Sequence, residues 1–307
     1  MRICMVTTFY PPYNFGGDGI FVRELALALA RLGHYVRVIH REDAYRLGAN
    51  PSDPGLPRRY NDQGVEVCRL KSPLGSLSPL LTQQLGHPAL KTSALVELLK
   101  DDFDVINYHN ISLIGGPAVL SLGKAALKLY TLHEHWLVCA THIFWKNGAK
   151  RCDTRQCLRC SLRSGIPPQI WRYTGLTQRH LEKIDCLITP SRFTADQHQQ
   201  FFPDVPTRRI PLYSRLEPSE EMIGTWNHQE TPCFVYSGRI TASKGVESIL
   251  ETFTALGDYE LVLAGEGDAL PRLKERFAHY PNIRFVGRLD ETSLVQLYSS
   301  ATALLFP

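Results

Sequence analysis

Short runs of apolar residues alternate along this chain with longer segments in which apolar residues recur at helical spacing. Each run, such as Ile-Cys-Met-Val at residues 3–6, is typical of a parallel strand that is covered on both faces. Strands that alternate with helices in this way predict an α/β fold with doubly wound sheets. The predicted strands are residues 3–6, 35–39, 65–70, 104–108, 127–132, 185–189, 208–212, 233–236, 259–264, 283–286 and 302–306.

Helices are predicted where apolar residues recur every three or four positions between these strands. The predicted helices are residues 20–32, 91–99, 115–126, 170–184, 191–201, 246–253, 270–277 and 292–300. Residues 50–61 are rich in Pro, Gly and charge, which predicts a loop. Residues 74–88 are apolar without clean periodicity, and we expect a mobile surface segment or a short helix there.

The α/β rhythm is interrupted once, by a polar segment with few apolar positions at residues 217–231. A length of 307 residues favours two domains. We therefore expect a first domain at 1–215, a linker at 216–231 and a smaller second domain at 232–307. The first domain also carries a Cys-rich insertion at 139–165.

Composition narrows the class of protein only modestly. Hydrophobic residues make up 44% and charged residues 21% of the chain, which is ordinary for a soluble protein. The net charge of +4 is compatible with anionic ligands, but no basic tract or DNA-reading motif supports a nucleic-acid partner. The N-terminus lacks the pattern of a signal peptide and no apolar run is long enough to span a membrane, so we expect a cytoplasmic protein with reduced cysteines.

An anion site is predicted at residues 233–245, where a strand, a tight turn and a helix start follow one another. Ser237 and Gly238 form the turn, Arg239 follows, and Lys244 precedes the helix. A helix N-terminus offers free N–H groups, Arg grips a phosphate with two hydrogen bonds, and Lys adds a point charge. The alternative interpretation is that both side chains are solvated surface charges.

The first domain carries candidate ligand groups at the ends of its strands. His109 follows one predicted strand, and His133 and Glu134 follow the next, where ligands collect in open α/β sheets. A glycine-rich loop with Gly16 and Gly17 follows the first strand and departs from the G-x-G-x-x-G fingerprint. A nicotinamide oxidoreductase is therefore disfavoured.

The insertion places four cysteines close together, with C-x4-C-x2-C spacing in the last three: Cys139, Cys152, Cys157 and Cys160. In a reducing compartment such a cluster suggests a structural zinc site rather than disulfides. The alternative is that these cysteines are small apolar residues, as Cys is elsewhere in this chain.

Taken in order, the motifs resemble those of GT-B retaining glycosyltransferases of family 4 over the whole chain. The motifs are Y-P-P-x3-G-G at 10–17, a strand-end His, T-L-H-E at 131–134, T-P-S-R at 189–192, S-G-R-x4-K-G at 237–245, A-G-E-G at 264–267 and F-V-G at 285–287. The Cys-rich insertion resembles one found in a subset of bacterial members. The resemblance implies two Rossmann-like domains facing a cleft, with a nucleotide-diphosphate sugar on the second and an acceptor on the first.

The resemblance also implies roles for individual residues. Arg239 and Lys244 match the pair that holds the donor pyrophosphate, and His133 matches the active-site histidine. Gly16 and Gly17 match the loop that packs against the donor phosphates and sugar, and Glu266 and Gly267 lie in the loop that borders the base. The remaining predicted donor-binding residues are His109, Ser237 and Gly238. The resemblance implies no divalent metal in catalysis.

One departure from the family concerns the second domain, which lacks the E-x7-E motif and the last strands that follow residues 302–307 in family members. We therefore expect an incomplete second domain and impaired sugar transfer by this chain alone. The alternative is a non-catalytic fragment or subunit whose open edge near Leu305 accepts a strand from a complementing polypeptide. A glycan or lipid-linked acceptor, with peripheral contact to the inner membrane face, is implied only by the resemblance to enzymes of polysaccharide biosynthesis.

Overall fold

The computed structural model describes residues 1–47, 55–147, 150–213 and 231–307. The chain divides into two compact units, Met1–Tyr213 and Ser214–Pro307. Most of the predicted linker, 216–231, and the start of the predicted loop at 50–61 lie outside the described residues. The expected α/β class is confirmed in each unit.

The first unit is built on an eight-stranded sheet in the order β10-β9-β6-β5-β1-β2-β4-β3. Every pair is parallel except β3 with β4. The strands are β1 (Arg2–Val6), β2 (Tyr35–Arg41), β3 (Arg59–Asp62), β4 (Val65–Leu70), β5 (Phe103–Tyr108), β6 (Ala125–Thr131), β9 (Cys186–Thr189) and β10 (Thr207–Arg209), and a separate antiparallel hairpin is formed by β7 (Trp145–Lys146) and β8 (Lys150–Arg151). The strand order reverses between β1 and β5, which makes this the switch point of the sheet.

The helices of the first unit cover both faces of this sheet. They are α1 (Gly17–Arg31), α2 (Glu42–Tyr45), α3 (Leu77–Leu85), α4 (Thr92–Leu98), α5 (Cys157–Arg163), α6 (Leu176–Leu181) and α7 (Arg192–Gln199), with 3-10 helices at Ala89–Lys91, Pro117–Ser121 and Ile170–Tyr173. The helix α1 packs Val22, Ala26 and Leu27 against the sheet. Of the apolar residues that predicted this helix, Val22 and Leu27 are buried, whereas Ile20 and Leu32 are 44% and 73% exposed.

Two predicted helices are wrong in extent. The segment 115–126 forms only a short 3-10 helix before β6 begins, because Gly123 adopts a left-handed conformation with φ 71°. The segment 170–184 is divided at Gly175, which also has φ 71°, into a 3-10 helix and α6. Glycine adopts this conformation without the steric cost that a side chain would add.

The second unit has a four-stranded parallel sheet in the order β13-β12-β11-β14. Its strands are β11 (Cys233–Ser237), β12 (Glu260–Ala264), β13 (Ile283–Gly287) and β14 (Ala303–Leu304), and its helices are α8 (Val246–Phe253), α9 (Leu270–Arg276) and α10 (Glu291–Ser300), with a 3-10 helix at Ala242–Lys244. The apolar face of α8, with Val246, Ile249 and Leu250, packs into the core. Among the helices that the structure describes, none is both long and apolar enough to cross a bilayer.

Candidate functional site

The ends of β1 and β5 meet at the switch point of the first sheet and are tied together by their backbones. The N–H of His109 donates to the carbonyl of Val6 at 2.9 Å, and the N–H of Thr8 donates to the carbonyl of Asn110 at 2.6 Å. Side chains that follow either strand are therefore held at one edge of the sheet. This is the edge at which ligands bind in open α/β sheets.

His109 and His133 form a stacked pair at this edge. Nδ1 of His109 lies 3.0 Å from Nε2 of His133, with the ring centroids 5.3 Å apart. Burial holds the pKa of His109 well below its ordinary value, and the neighbouring His133 lowers it further. Burial also lowers the pKa of His133 to about 4, although the carboxylate of Glu134 opposes this shift. Both rings are therefore neutral at physiological pH.

The environment of His109 favours one arrangement of protons in this pair. Its Nε2 is buried without a hydrogen-bond partner among the described residues. A buried N–H without a partner is rarer and more costly than an unpaired acceptor. His109 then donates from Nδ1, His133 accepts at Nε2, and the proton of His133 resides on Nδ1.

The N-terminus of α1 lies at the same edge. Gly16 precedes the helix with φ 78°, and no side chain caps the first turn. A Cβ on Gly16 or Gly17 would meet no atom within 4 Å, so the space beside both glycines is open. Asp18 in this turn accepts a hydrogen bond from Nδ2 of Asn110 at 3.0 Å. Burial raises the pKa of the Asp18 carboxyl, and the Asn110 hydrogen bond partly offsets that rise.

Two further contacts position His133 and its neighbour. The ring of Phe21, one turn into α1, lies edge-on to His133 with centroids 5.3 Å apart. Glu134 is held by Nδ1 of His142 at 2.7 Å. The structure therefore brings the predicted Gly16, Gly17, His109 and His133 to one edge of the first unit.

In the second unit the predicted cation loop follows β11 directly. The hydroxyl of Tyr236 donates to the carbonyl of Arg239 at 2.8 Å, which fixes the turn after Ser237 and Gly238. Arg239 and Lys244 are exposed, and within the described residues neither forms an ion pair. Two cations without carboxylate partners precede the helix start at Gly245, where no side chain caps the first turn. Such a loop can receive an anion.

The loop after β12 packs directly against the cation loop. The N–H of Gly238 donates to the carbonyl of Ala264 at 3.0 Å, and the N–H of Ile240 donates to the carbonyl of Glu266 at 2.9 Å. A Cβ on Gly267 would lie 2.2 Å from the carbonyl oxygen of Ile240. The structure thus brings together the predicted Ser237, Gly238, Arg239, Lys244, Glu266 and Gly267 at the C-terminal edge of the second sheet.

The four predicted metal ligands converge, but not as a metal site. Cys139, Cys152, Cys157 and Cys160 line one cavity of about 20 Å³, which has room for about one water molecule. Across the described residues, however, no three His, Cys, Asp or Glu side chains are disposed to hold a metal ion. Burial raises the pKa of the Cys152 and Cys157 thiols. The zinc prediction finds no support among the described residues.

Sequence reasoning missed Asp18, Phe21 and the Glu134–His142 hydrogen bond as parts of the site. Asp18 could have been found from its place among the loop glycines, because a carboxylate in the first turn of a helix is favoured there. No sequence signal pairs Glu134 with His142, since their contact depends on the fold of the insertion.

Comparison with known proteins identifies the families that the chain matches. The family described as "Glycosyl transferase 4-like domain" matches residues 16–212, and the one described as "Glycosyl transferases group 1" matches residues 219–307. A glycogen synthase of Mycobacterium tuberculosis is 24% identical over 327 aligned residues, covering 100% of this chain and 72% of that protein.

Two solved structures share the fold over the full length of the chain. Sucrose-phosphate synthase from Thermosynechococcus elongatus superposes with a TM-score of 0.65 at 19% identity, covering 100% of this chain and 75% of that one. The catalytic domain of starch synthase IV from Arabidopsis thaliana, bound to ADP and acarbose, gives a TM-score of 0.59 at 13% identity, with coverage of 100% and 78%. The chain therefore has the GT-B fold.

Proposed function

Because this chain belongs to the glycosyl transferase 4-like family, we propose that it transfers a sugar from a nucleotide-diphosphate sugar to a glycan or lipid-linked acceptor, with retention of the anomeric configuration. One observation carries the proposal. Arg239 and Lys244, exposed and without ion-pair partners among the described residues, lie in the loop that leads from β11 to an uncapped helix start at the C-terminal edge of the second sheet.

The two cations act on the leaving group. As the bond between the anomeric carbon and the diphosphate breaks, negative charge grows on the departing phosphate oxygen. Cations that are already in place stabilise this charge most where it is greatest, at the transition state. The hydrogen bond from Tyr236 to the carbonyl of Arg239 keeps the turn in place, so little reorganisation is needed when the charge develops.

His133 serves the donor sugar as a neutral hydrogen-bond donor. Its pKa of about 4 keeps the ring uncharged, and His109 occupies its Nε2, so Nδ1–H is left to donate. A neutral donor orients a sugar hydroxyl without competing with the cations for the diphosphate. The starch synthase structure, which is bound to ADP and acarbose, supports a donor that contains a nucleoside diphosphate.

Calorimetric titration with UDP and with ADP tests the proposal on the 307-residue chain. Arg239→Ala is expected to weaken binding of the nucleotide that the chain prefers by about tenfold or more, because a hydrogen bond to a charged group contributes roughly 1.5–3 kcal/mol. Lys274→Ala is the matched control, since Lys274 is an exposed cation of the same unit in the last turn of α9. Equal binding by the Arg239→Ala variant and the control would contradict the assignment.

Transfer itself is measured by release of nucleotide diphosphate from labelled donors. The anomeric configuration of the product, read by NMR, decides between retention and inversion. The weak turnover expected for this chain alone stays a prediction that the same assay checks.

A second candidate, a binding subunit, is favoured by one observation on the second sheet. The strand β14 lies at the edge of that sheet, and Leu304 and Phe306 are 39% and 76% exposed. An exposed edge strand can accept a strand from a partner. Light scattering together with the transfer assay separates the two candidates, since a monomer that transfers sugar would contradict the subunit.

A further inference from the structure

The helix α3 is inverted, with polar residues inward and leucines outward. Ser78 and Thr82 are buried and accept hydrogen bonds from the guanidinium of Arg41, at 2.9 Å for Thr82. The four leucines of the same helix, Leu77, Leu80, Leu81 and Leu85, expose between 37% and 61% of their surface. Arg41 is fully buried at the end of β2 and needs acceptors, so the polar face of α3 is drawn inward and the leucines are left in solvent.

The exposed apolar surface continues onto two neighbouring helices. The indole N–H of Trp171 donates to the carbonyl of Gln83 at 2.9 Å, which joins α3 to the 3-10 helix Ile170–Tyr173. The N–H of Leu158 donates to the hydroxyl of Tyr173 at 3.1 Å, which joins that helix to α5. The most exposed apolar side chains of these two helices are Leu158 at 48%, Leu162 at 63%, Ile170 at 62% and Tyr173 at 61%.

The charges beside these apolar side chains are mostly of one sign. Residues 150–163 contain five basic residues and one acidic residue, Asp153, whose carboxylate pairs with Lys146 and Lys150. The five basic residues, all exposed, are Lys150, Arg151, Arg155, Arg159 and Arg163. In the described part of the chain neither Arg159 nor Arg163 has an ion-pair partner. In α5, Leu158 and Leu162 are one turn apart, and each is followed by one of these arginines.

The exposed side chains of α3, the 3-10 helix Ile170–Tyr173 and α5 together form what we call the leucine–arginine surface. We propose that this surface binds the protein to an anionic phospholipid bilayer. Half-exposed leucines can enter the region between headgroups and acyl chains, while arginines remain at the anionic headgroups. Each basic residue near such a surface strengthens binding by about fivefold. Contact between two copies of this surface would bring the unpaired arginines of both chains together, which disfavours a dimer as the occupant.

This inference goes beyond the proposed function, because sugar transfer to a free glycan needs no membrane. It concerns the first unit alone, and none of its residues belongs to the proposed donor site. Failure of vesicle binding would therefore leave nucleotide binding by Arg239 untouched, and loss of nucleotide binding would leave the surface intact.

Flotation of the full 307-residue chain with vesicles tests the inference. The vesicles contain phosphatidylcholine alone or with about one third phosphatidylglycerol, so that only the second kind offers the arginines an anionic surface. Wild-type protein is expected to float with the anionic vesicles and not with the neutral ones. Binding should fall as salt is raised, since screening weakens the attraction of the arginines to the surface.

Two variants divide the surface into its apolar and charged parts. Leu81→Gln with Leu85→Gln should weaken binding at least about tenfold, because apolar area is lost from the contact. Arg159→Gln with Arg163→Gln should weaken it roughly 25-fold, at about fivefold for each charge. All four side chains are exposed, so a thermal melt is expected to show the same folded state in each variant.

The matched control is Arg31→Gln with Leu32→Gln, an exposed pair at the end of α1. This pair precedes the start of β2, whereas α3 contacts Arg41 at the other end of that strand, roughly 20 Å away. The control should bind as the wild type does. Absence of flotation with anionic vesicles, or equal binding by all variants, would overturn the inference. A third outcome would overturn it in favour of self-association: the wild type forms a dimer and does not bind vesicles, and the Leu81→Gln, Leu85→Gln double variant dissociates that dimer.

Discussion

Substitution of Gly267 by alanine should disturb the cation loop without touching either cation. A Cβ at this position would lie 2.2 Å from the carbonyl oxygen, 2.6 Å from the carbonyl carbon and 2.9 Å from the nitrogen of Ile240. All three atoms are backbone, so no side chain can rotate away. The backbone of Ile240, the residue after Arg239, must therefore move.

The size of the effect follows from this crowding. Relief to an ordinary contact requires a displacement of about 1 Å, and overpacking of this kind destabilises a protein by roughly 1–3 kcal/mol. The displaced carbonyl of Ile240 accepts the N–H of Ala269 at 3.2 Å, and its N–H donates to Glu266 at 2.9 Å. Because Arg239 moves with it, binding of UDP or ADP should weaken about tenfold or more.

The matched control is Gly257→Ala, because its Cβ would meet nothing within 4 Å. Urea denaturation gives the free energy of unfolding of both variants, and calorimetric titration gives their affinities for the nucleotide. Gly267→Ala should lose both stability and affinity, whereas Gly257→Ala should lose neither. If the two variants unfold and bind alike, the close approach of the two loops is not a constraint and the reasoning is refuted.

The remaining predictions concern groups buried in the first unit. Burial lowers the pKa of His40 to about 3 and that of His133 to about 4. Below pH 6.5 the unfolded chain therefore binds more protons than the folded chain. The free energy of unfolding should fall as the pH drops, by about 2 kcal/mol per histidine at pH 5. Urea titrations at pH 7 and pH 5 measure this fall, which His40→Phe should reduce; an unchanged free energy of unfolding at pH 5 would contradict it. Arg41→Met should cost about 3–5 kcal/mol because it breaks the buried Arg41–Asp43 ion pair and removes the guanidinium that donates to the buried hydroxyls of Ser78 and Thr82. The exposed Arg31→Met is its control, and equal urea midpoints for the two would refute the assignment.

Much of the fold could be predicted from local pattern. The runs at 3–6, 35–39, 104–108 and 233–236 each correspond to an observed strand, because a strand covered on both faces is mostly apolar along its length. The face of α8 could also be predicted, since Val246, Ile249 and Leu250 recur at helical spacing and pack into one core. The strand-end positions of His109 and Arg239 follow from the same reasoning.

Other features could not be predicted because they depend on partners distant in sequence. The hairpin β7–β8 and the strand β3 are short and carry no apolar alternation. The cysteines have metal-like spacing, yet their spacing says nothing about where the thiols point, and the described structure gathers them around a cavity without forming a metal site.

The sequence by itself determined most of the parallel strands of both sheets, and therefore which loops follow the carboxyl ends of those strands, because burial on a sheet imposes a local pattern of apolar residues. Only the tertiary structure decided that His109 and His133 share a hydrogen bond, that Gly267 packs against Ile240, and that α3 faces its leucines outward. Those outcomes depend on which distant atoms meet. The buried Arg41, for example, found its acceptors on α3 and so reversed the face that apolar content alone would have buried.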